Sequence, residues 1–191
     1  MPAFNIDQFR STLQGGARPN QFEVTLTFPS GIENGAGAVA PFLVTAASLP
    51  GQTIPPATVL YRGREVHLAG DRTFVPWTTT IINDSTFIVR AALERWMNTI
   101  EDMGTKVGRI EPRNYLATLY VTQLDKNGTD LRTYQFIDAY PTDISEVGLS
   151  FGANNDISTF TCTWQYQHFY PYEGTGLVSE NNVSSASLFR R

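Results

Sequence analysis

Cysteine is nearly absent: Cys162 is the only one in 191 residues. That excludes an intramolecular disulfide and any zinc cage built from several thiolates, and it fits a chain folding in a reducing cytoplasm. Histidine is almost as scarce, with only His67 and His168 available for proton transfer or metal binding. Charge is sparse too. Charged residues make up 17% of the chain, and 18 acidic against 14 basic side chains leave a net charge of −4. Bulk attraction to nucleic acid is therefore not expected. No apolar run approaches the roughly 20 residues that cross a bilayer, so no membrane anchor is expected. The opening segment, MPAFNIDQFRSTLQGG, lacks a basic stretch followed by an apolar core, so no secretory signal is expected. The sequons at Asn83, Asn127 and Asn182 then count as chance matches.

What remains is rich in hydrophobic (41%) and aromatic (12%) residues, which suits a folded β-rich protein or a subunit with extensive interfaces and argues against disorder. Length favours one domain, placed at 1–170. Beyond it the composition shifts to EGTGLVSENNVSSAS, so 171–191 is expected to be a flexible or partner-ordered tail. A short helix is expected near Asp7–Leu13. In NQFEVTLTF, Phe22, Val24, Leu26 and Phe28 share one face, the mark of a half-buried strand. PSGIENGAGAVAP reads as a Gly/Ala loop and PFLVTAASLP as a short strand. The prolines of QTIPPA keep that tract extended and out of a sheet interior. ATVLYRGREVHL is β-leaning with a bend or bulge at Gly63, and TFVPWTTTII is a strand whose Pro76 implies an edge or bulge.

Asn83, Asp84 or Ser85 can cap the one long helix, expected at about 85–103. Its apolar stripe is read as Ile88, Ala92, Trp96, Ile100 and Met103, with Gly104 as the stop. Four more strands are expected in YLATLYVTQL, LRTYQFIDAY, TDISEVGLSF and ISTFTCTWQYQHFY. The first two are joined by a hairpin across Asp125–Asp130. The predicted fold class is mainly β: an antiparallel sandwich or rolled barrel with one flanking helix.

A search for chemistry finds little. GAGAVA (Gly35–Ala40) spells a dinucleotide fingerprint, but Pro41 and an expected strand follow and no acidic residue stands about 20 positions on, so it reads as a surface loop. His67 and His168 lack a convergent carboxylate, serine or further ligand. Cys162 sits on the apolar face of its strand, as a buried inert thiol would. Trp96 reads as a core anchor, and Trp77 and Trp164 as core or intersubunit residues. The basic residues form no stripe interleaved with aromatics. No catalytic, cofactor or metal site is expected, and the profile suits a building block better than an enzyme.

The stretch AGDRTFVPWTTTIIND (Ala69–Asp84), followed by a helix containing LERWMN, resembles the tail tube proteins of T4-type contractile-tailed bacteriophages. ARPNQFEV (Ala17–Val24), ASLPGQTIP (Ala47–Pro55) and PTDISEVGLSFGANNDISTF (Pro141–Phe160) are similar to that family's first strand entry, Leu-Pro loop and closing strands, in order. The resemblance implies a β-sandwich with a flanking helix whose copies form hexameric rings around a continuous inner barrel. Stacked rings then make a hollow conduit for DNA ejection inside a contractile sheath. It implies a motif turn of Gly70, Asp71, Arg72, Thr73 and Phe74, with Trp77, Asn83 and Asp84, setting strand register or an intersubunit ion pair.

By the same resemblance, Leu49, Pro50, Gly51, Thr53, Pro55 and Pro56 are candidates for inter-ring stacking. Arg18, Pro19 and Asn20 form the N-terminal motif, and Ile88, Trp96 and Ile100 the core of the helix. The implied partners are other copies of the chain, the tail sheath protein, a tape measure protein in the lumen, and baseplate and tail-terminator proteins. DNA passes only in transit, and the implied location is the virion after assembly in the host cytoplasm. The loop at 30–40 and the tail after Tyr170 look longer than the family pattern. A neutral to acidic lumen is expected, since phosphate-binding Lys or Arg would hinder sliding. Thr78, Thr80, Thr118, Thr122, Thr159 and Thr161 are candidates for its wetted face. The alternatives are a tube subunit of a DNA-free contractile injection system, such as a phage-tail-like bacteriocin or a type VI apparatus, and, more remotely, a β-sandwich enzyme or carbohydrate-binding module.

Overall fold

A computed structural model describes residues 5–13, 16–108 and 111–172. The expectation for the tail falls, from 173 onward, outside the described residues. The chain divides into two compact units, one drawn from Met1–Glu23, Thr122–Thr133 and Pro171–Arg191, the other from Val24–Val121 and Tyr134–Tyr170.

In the first unit, helix α1 spans Ile6–Leu13 and buries none of its residues. The Arg18-Pro19-Asn20 motif forms a turn in which the Gln21 amide donates to Arg18 O at 3.2 Å. The Leu124 amide donates to Gln21 O at 2.9 Å, and Gln123 Nε2 to Arg18 O at 3.3 Å, so this turn is tied to the end of the strand Ala117–Leu124. The hairpin expected across Asp125–Asp130 forms: the Asp125 amide donates to Thr129 O and the Gly128 amide to Asp125 O, with Gly128 at φ 76°. Only glycine adopts that conformation without strain.

The strands are β1 (Phe22–Leu26), β2 (Val44–Ala47), β3 (Gln52–Thr53), β4 (Pro56–Tyr61), β5 (Arg64–Ala69), β6 (Thr73–Phe74), β7 (Trp77–Ile82), β8 (Ala117–Leu124), β9 (Asp130–Ile144), β10 (Thr159–Gln165) and β11 (His168–Tyr172). A seven-stranded sheet has the order β1-β8-β9-β10-β7-β2, with β11 joined to β9. Two small sheets, β3-β6 and β4-β5, complete the set. Every pairing with a described register is antiparallel. Among the described residues the fold is mainly β with three α-helices.

The core of the second unit grows from period-2 patterning. Along β10, Phe160, Cys162 and Trp164 are buried while Thr161, Thr163 and Gln165 are half-exposed, as the alternation requires. Facing β7 contributes Trp77, Thr79 and Ile81 to the same buried side, in register with Trp164, Cys162 and Phe160. Three tryptophans fill the centre, and none leaves its indole N–H unsatisfied. Trp77 donates to Ser48 O at 2.7 Å, Trp96 to Tyr115 O at 2.7 Å, and Trp164 to Thr79 Oγ1 at 3.0 Å. Trp77 stacks on Phe136 at 4.4 Å, and Trp96 meets Trp164 edge-on at 5.6 Å. Trp77 and Trp164 are therefore core residues of the single chain.

The long helix, α3, runs Ile88–Ile100, shorter at both ends than expected. Asp84 starts it: Oδ1 accepts the Ile88 amide at 3.2 Å, while Oδ2 accepts from the Thr86 amide and hydroxyl. It stops before Gly104, because the Asp102 carboxylate binds the Gly104 amide and the Thr105 hydroxyl and folds the chain into a tight turn. The buried face is also rotated from the expected stripe. Val89, Ala92, Leu93 and Trp96 point inward, whereas Ile88 and Ile100 are half-buried and Met103 is 82% exposed. Trp96 belongs to both stripes and reaches the sheet through Trp164, so the true face is one residue further round.

Three further expectations are corrected. Residues 36–40 do not form a loop, nor does a strand begin at Pro41: helix α2 spans Ala36–Leu43, and only Val44–Ala47 is strand. Alanine favours helix, and buried Ala36 and Ala40 allow close packing on α3. The expected strand TDISEVGLSF does not exist as a separate element. Its first three residues extend β9 to 15 residues, and 145–158 are loop. β9 survives its irregular points through a positive φ of 54° at Asp138 and a register shift opposite Thr163/Trp164. That shift passes Pro141, which cannot donate to the ladder. Finally, TFVPWTTTII is broken at Val75-Pro76 into β6 and β7.

Candidate assembly surfaces

β4 and β5 form a hairpin, with Tyr61 opposite Arg64 and Pro56 opposite Ala69. Its two-residue turn, Arg62-Gly63, has φ 49° and 79°, the left-handed pair that a tight hairpin demands. Every residue of both strands is exposed. On one face lie Ala57, Val59, Tyr61, Val66 and Leu68; Leu60, at 74% exposure, points to the other. A two-stranded ribbon is marginal in water by itself, so an apolar face this bare calls for a covering partner.

The motif turn secures the base of this arm. The Gly70 amide donates to Pro55 O at 2.9 Å, and a Cβ on Gly70 would lie 2.5 Å from that same oxygen. Glycine is required there by close approach of backbone to backbone. Thr73 then pairs with Thr53, and its hydroxyl reaches Thr53 O at 3.4 Å; Phe74 packs on Phe169 at 5.5 Å. Asp71 and Arg72 are exposed, and among the described residues neither side chain makes a hydrogen bond or ion pair. The motif's last two residues act at the far end of β7. Asn83 donates twice to Ser158, from its backbone N–H to the carbonyl oxygen and from Nδ2 to Oγ, and Asp84 caps α3.

Leu49, Gly51, Thr53, Pro55 and Pro56 are exposed and Pro50 is half-buried, all within or beside this arm. Sequence patterning missed how bare the arm is, because alternation reads identically whether the apolar face meets the chain's own core or another copy.

The sheet ends in β1 and β2, and neither has a further strand outside it among the described residues. On its polar side, Thr78 faces Thr163 and Thr80 faces Thr161 across β7 and β10, with Thr159 beside Ile82. Thr118 and Thr122 are half-exposed on β8; Thr122 is engaged with the Thr133 hydroxyl at 3.0 Å.

The groups most suited to chemistry stay apart. His67 lies on the exposed hairpin opposite Thr58, and the His168 ring packs against Tyr170 at 4.9 Å. Cys162 is fully buried, and burial, with Asp143 adding a smaller effect, pushes its thiol far above the ordinary range. Among the described residues no cluster of His, Cys, Asp and Glu suits a metal ion. GAGAVA does open a helix, contrary to expectation, but the Glu33 carboxylate fills the space beside Gly37 in the first turn. An acid in that place repels rather than cradles a phosphate.

Open sheet edges and a bare apolar arm are the surfaces that a β-rich chain presents for contact with other chains. The phage tail tube protein family model matches residues 17–172, and the chain belongs to that family. It is 27% identical over 161 residues to the tail tube protein gp19 of Enterobacteria phage T4, covering 83% of this chain and 94% of that one. With the tail tube protein of Serratia phage KSP90 it shares 25% over 166 residues, covering 84% and 93%. Among solved structures, a chain of the anti-feeding prophage baseplate superposes with a TM-score of 0.59 at 16% identity, covering 84% and 97%. That last similarity is one of fold.

Proposed function

We propose that copies of this chain close into hexameric rings and that the rings stack into the hollow tube of a contractile phage tail. The tube runs inside the sheath and carries DNA during ejection. The observation that carries this is the pairing of a tail tube family chain with a sheet open at both ends and an arm exposed along its whole length. Neighbouring sheets joined edge to edge remove the exposed-edge hazard. Head-to-tail contact between rings does not close, so it propagates as a filament.

In this assembly the arm, with Leu49, Pro50, Gly51, Thr53, Pro55 and Pro56, reaches the next ring. Its prolines lower the entropy lost on ordering. The exposed Asp71 and Arg72 are free to pair with a neighbouring protomer. The face carrying Thr78, Thr80, Thr159 and Thr161 lines the conduit, supported by the opposite face being filled with tryptophan. A wall of hydroxyls without a basic stripe lets phosphates slide. Sheath, baseplate, terminator and tape measure proteins meet this tube in the virion, which assembles in the host cytoplasm.

The test is negative-stain microscopy of the protein, purified alone and after addition to isolated baseplates. Rings or hollow filaments support the proposal; a persistent monomer in both conditions overturns it. Recovery of the chain only from particles without packaged DNA would move it to a DNA-free injection machine.

A further inference from the structure

Helix α1 and a groove at the end of α3 are each left uncovered by the described residues of the single chain. In α1, Ile6, Phe9 and Leu13 are 62%, 64% and 50% exposed, and the helix buries nothing. Their spacing of three and four places all three on one side within about a sixth of a turn. Eight residues are too few to hold a helix in water without packing on its apolar side. α1 also lies outside residues 17–172, the part matched by the family model.

The groove, about 560 Å³, lies between the C-terminal end of α3 and β9. Its walls are Met97, Ile100, Met103, Tyr140 and Pro141. Two methionines make such a surface adaptable to an inserted helix. Its rim holds both signs of charge, Glu101 and Asp102 with Lys106. The Asp102 carboxyl stays ionised because the Thr105 hydroxyl and the Gly104 amide donate to it, which holds it below the usual carboxylate range.

We propose that α1 of one copy seats in this groove on a neighbouring copy. Ile6, Phe9 and Leu13 enter between Met97, Met103 and Pro141 as anchors of a helix-in-groove contact. Charge fits this occupant. α1 carries one acid and one base a turn apart, Asp7 and Arg10, whose own contact is a loose 3.9 Å on the open surface. In the groove Arg10 meets Glu101 or Asp102, and Asp7 meets Lys106. The β4-β5 arm is the rival occupant, but its apolar face is a flat ribbon of five side chains, which matches a sheet better than a groove. Seven residues, 14–20, separate Leu13 from Gln21, and the chain between them spans at most about 28 Å, enough to reach across a subunit boundary.

The contact rests on the multi-copy assembly proposed above, and its test separates the two. The variants F9C and M103C are made in separate chains, mixed, assembled and oxidised; the native Cys162, being buried, stays silent. A disulfide linking one F9C chain to one M103C chain, lost when I6E is added to the F9C chain, is the expected result. Assembled rings or filaments without that link overturn the contact and leave the tube standing. A link between V59C and M103C chains in its place assigns the groove to the arm and also overturns the proposal. Failure to assemble and to cross-link overturns both.

Discussion

Replacing Gly70 by alanine puts a methyl group 2.5 Å from Pro55 O, a backbone atom that cannot swing aside. A carbon against a carbonyl oxygen ordinarily sits at about 3.3–3.6 Å, so the two strands at the base of the arm must part by roughly 0.8 Å. Overpacking of this kind costs about 1–3 kcal/mol. The same movement strains the Gly70 N–H to Pro55 O bond, which at 2.9 Å is otherwise well made. Because a two-stranded arm is marginal, this energy appears as local opening rather than global unfolding. Amide hydrogen exchange at Gly70 and along the β3-β6 and β4-β5 pairings should accelerate by about 5- to 150-fold, while the amides of β7 and β10 keep their protection. Gly51→Ala is the control: nothing lies within 4 Å of its added Cβ, and the arm should exchange as before. Unchanged exchange in Gly70→Ala, or equal acceleration in Gly51→Ala, would refute the claim that close approach at Gly70 holds the arm.

Other outcomes follow from the core and the helix cap. Trp96→Ala removes a fully buried indole and leaves Tyr115 O without its donor, and should cost about 3–5 kcal/mol in denaturant unfolding. The Asp84 carboxyl is held below its ordinary value, first by the Thr86 hydroxyl and then by backbone amides. Its contribution is thus complete above the unfolded value of about 3.9 and is lost as pH falls through the lower folded value. Wild type should therefore lose stability relative to Asp84→Ala on acidification below about pH 4, with little pH dependence of the difference near neutrality. Cys162 should resist a thiol reagent at pH 8 in the native protein and react at once in denaturant.

The strands were legible wherever alternation met a real core, as in β10, and the Asp125–Asp130 hairpin was legible from its turn residues. α2 was hidden because Gly35, Gly37 and Pro41 are punctuation in most contexts; here small size, with Ala36 and Ala40 buried, matters more than local propensity. The α3 stripe was misread by one residue since Ile88 and Val89 are both apolar, and only packing decides which turns inward. The arm was legible as β-leaning sequence with a bend at Gly63, but its bareness was not: the exposure of Val59, Val66 and Leu68, 45–55%, is visible only in the folded chain. Of the motif residues, Gly70 lets the backbone approach Pro55 O by having no side chain, and Asp84 accepts the first amide of α3.

The central claim is that copies of this chain complete one another's β-structure around a hollow axis. A cryo-EM reconstruction of particles containing it tests that most directly. Six copies per ring, with the β1-to-β2 sheets joined into one inner wall around an open channel, is the expected result. Subunits lacking a shared inner wall, or this chain lying outside the central conduit, would contradict it.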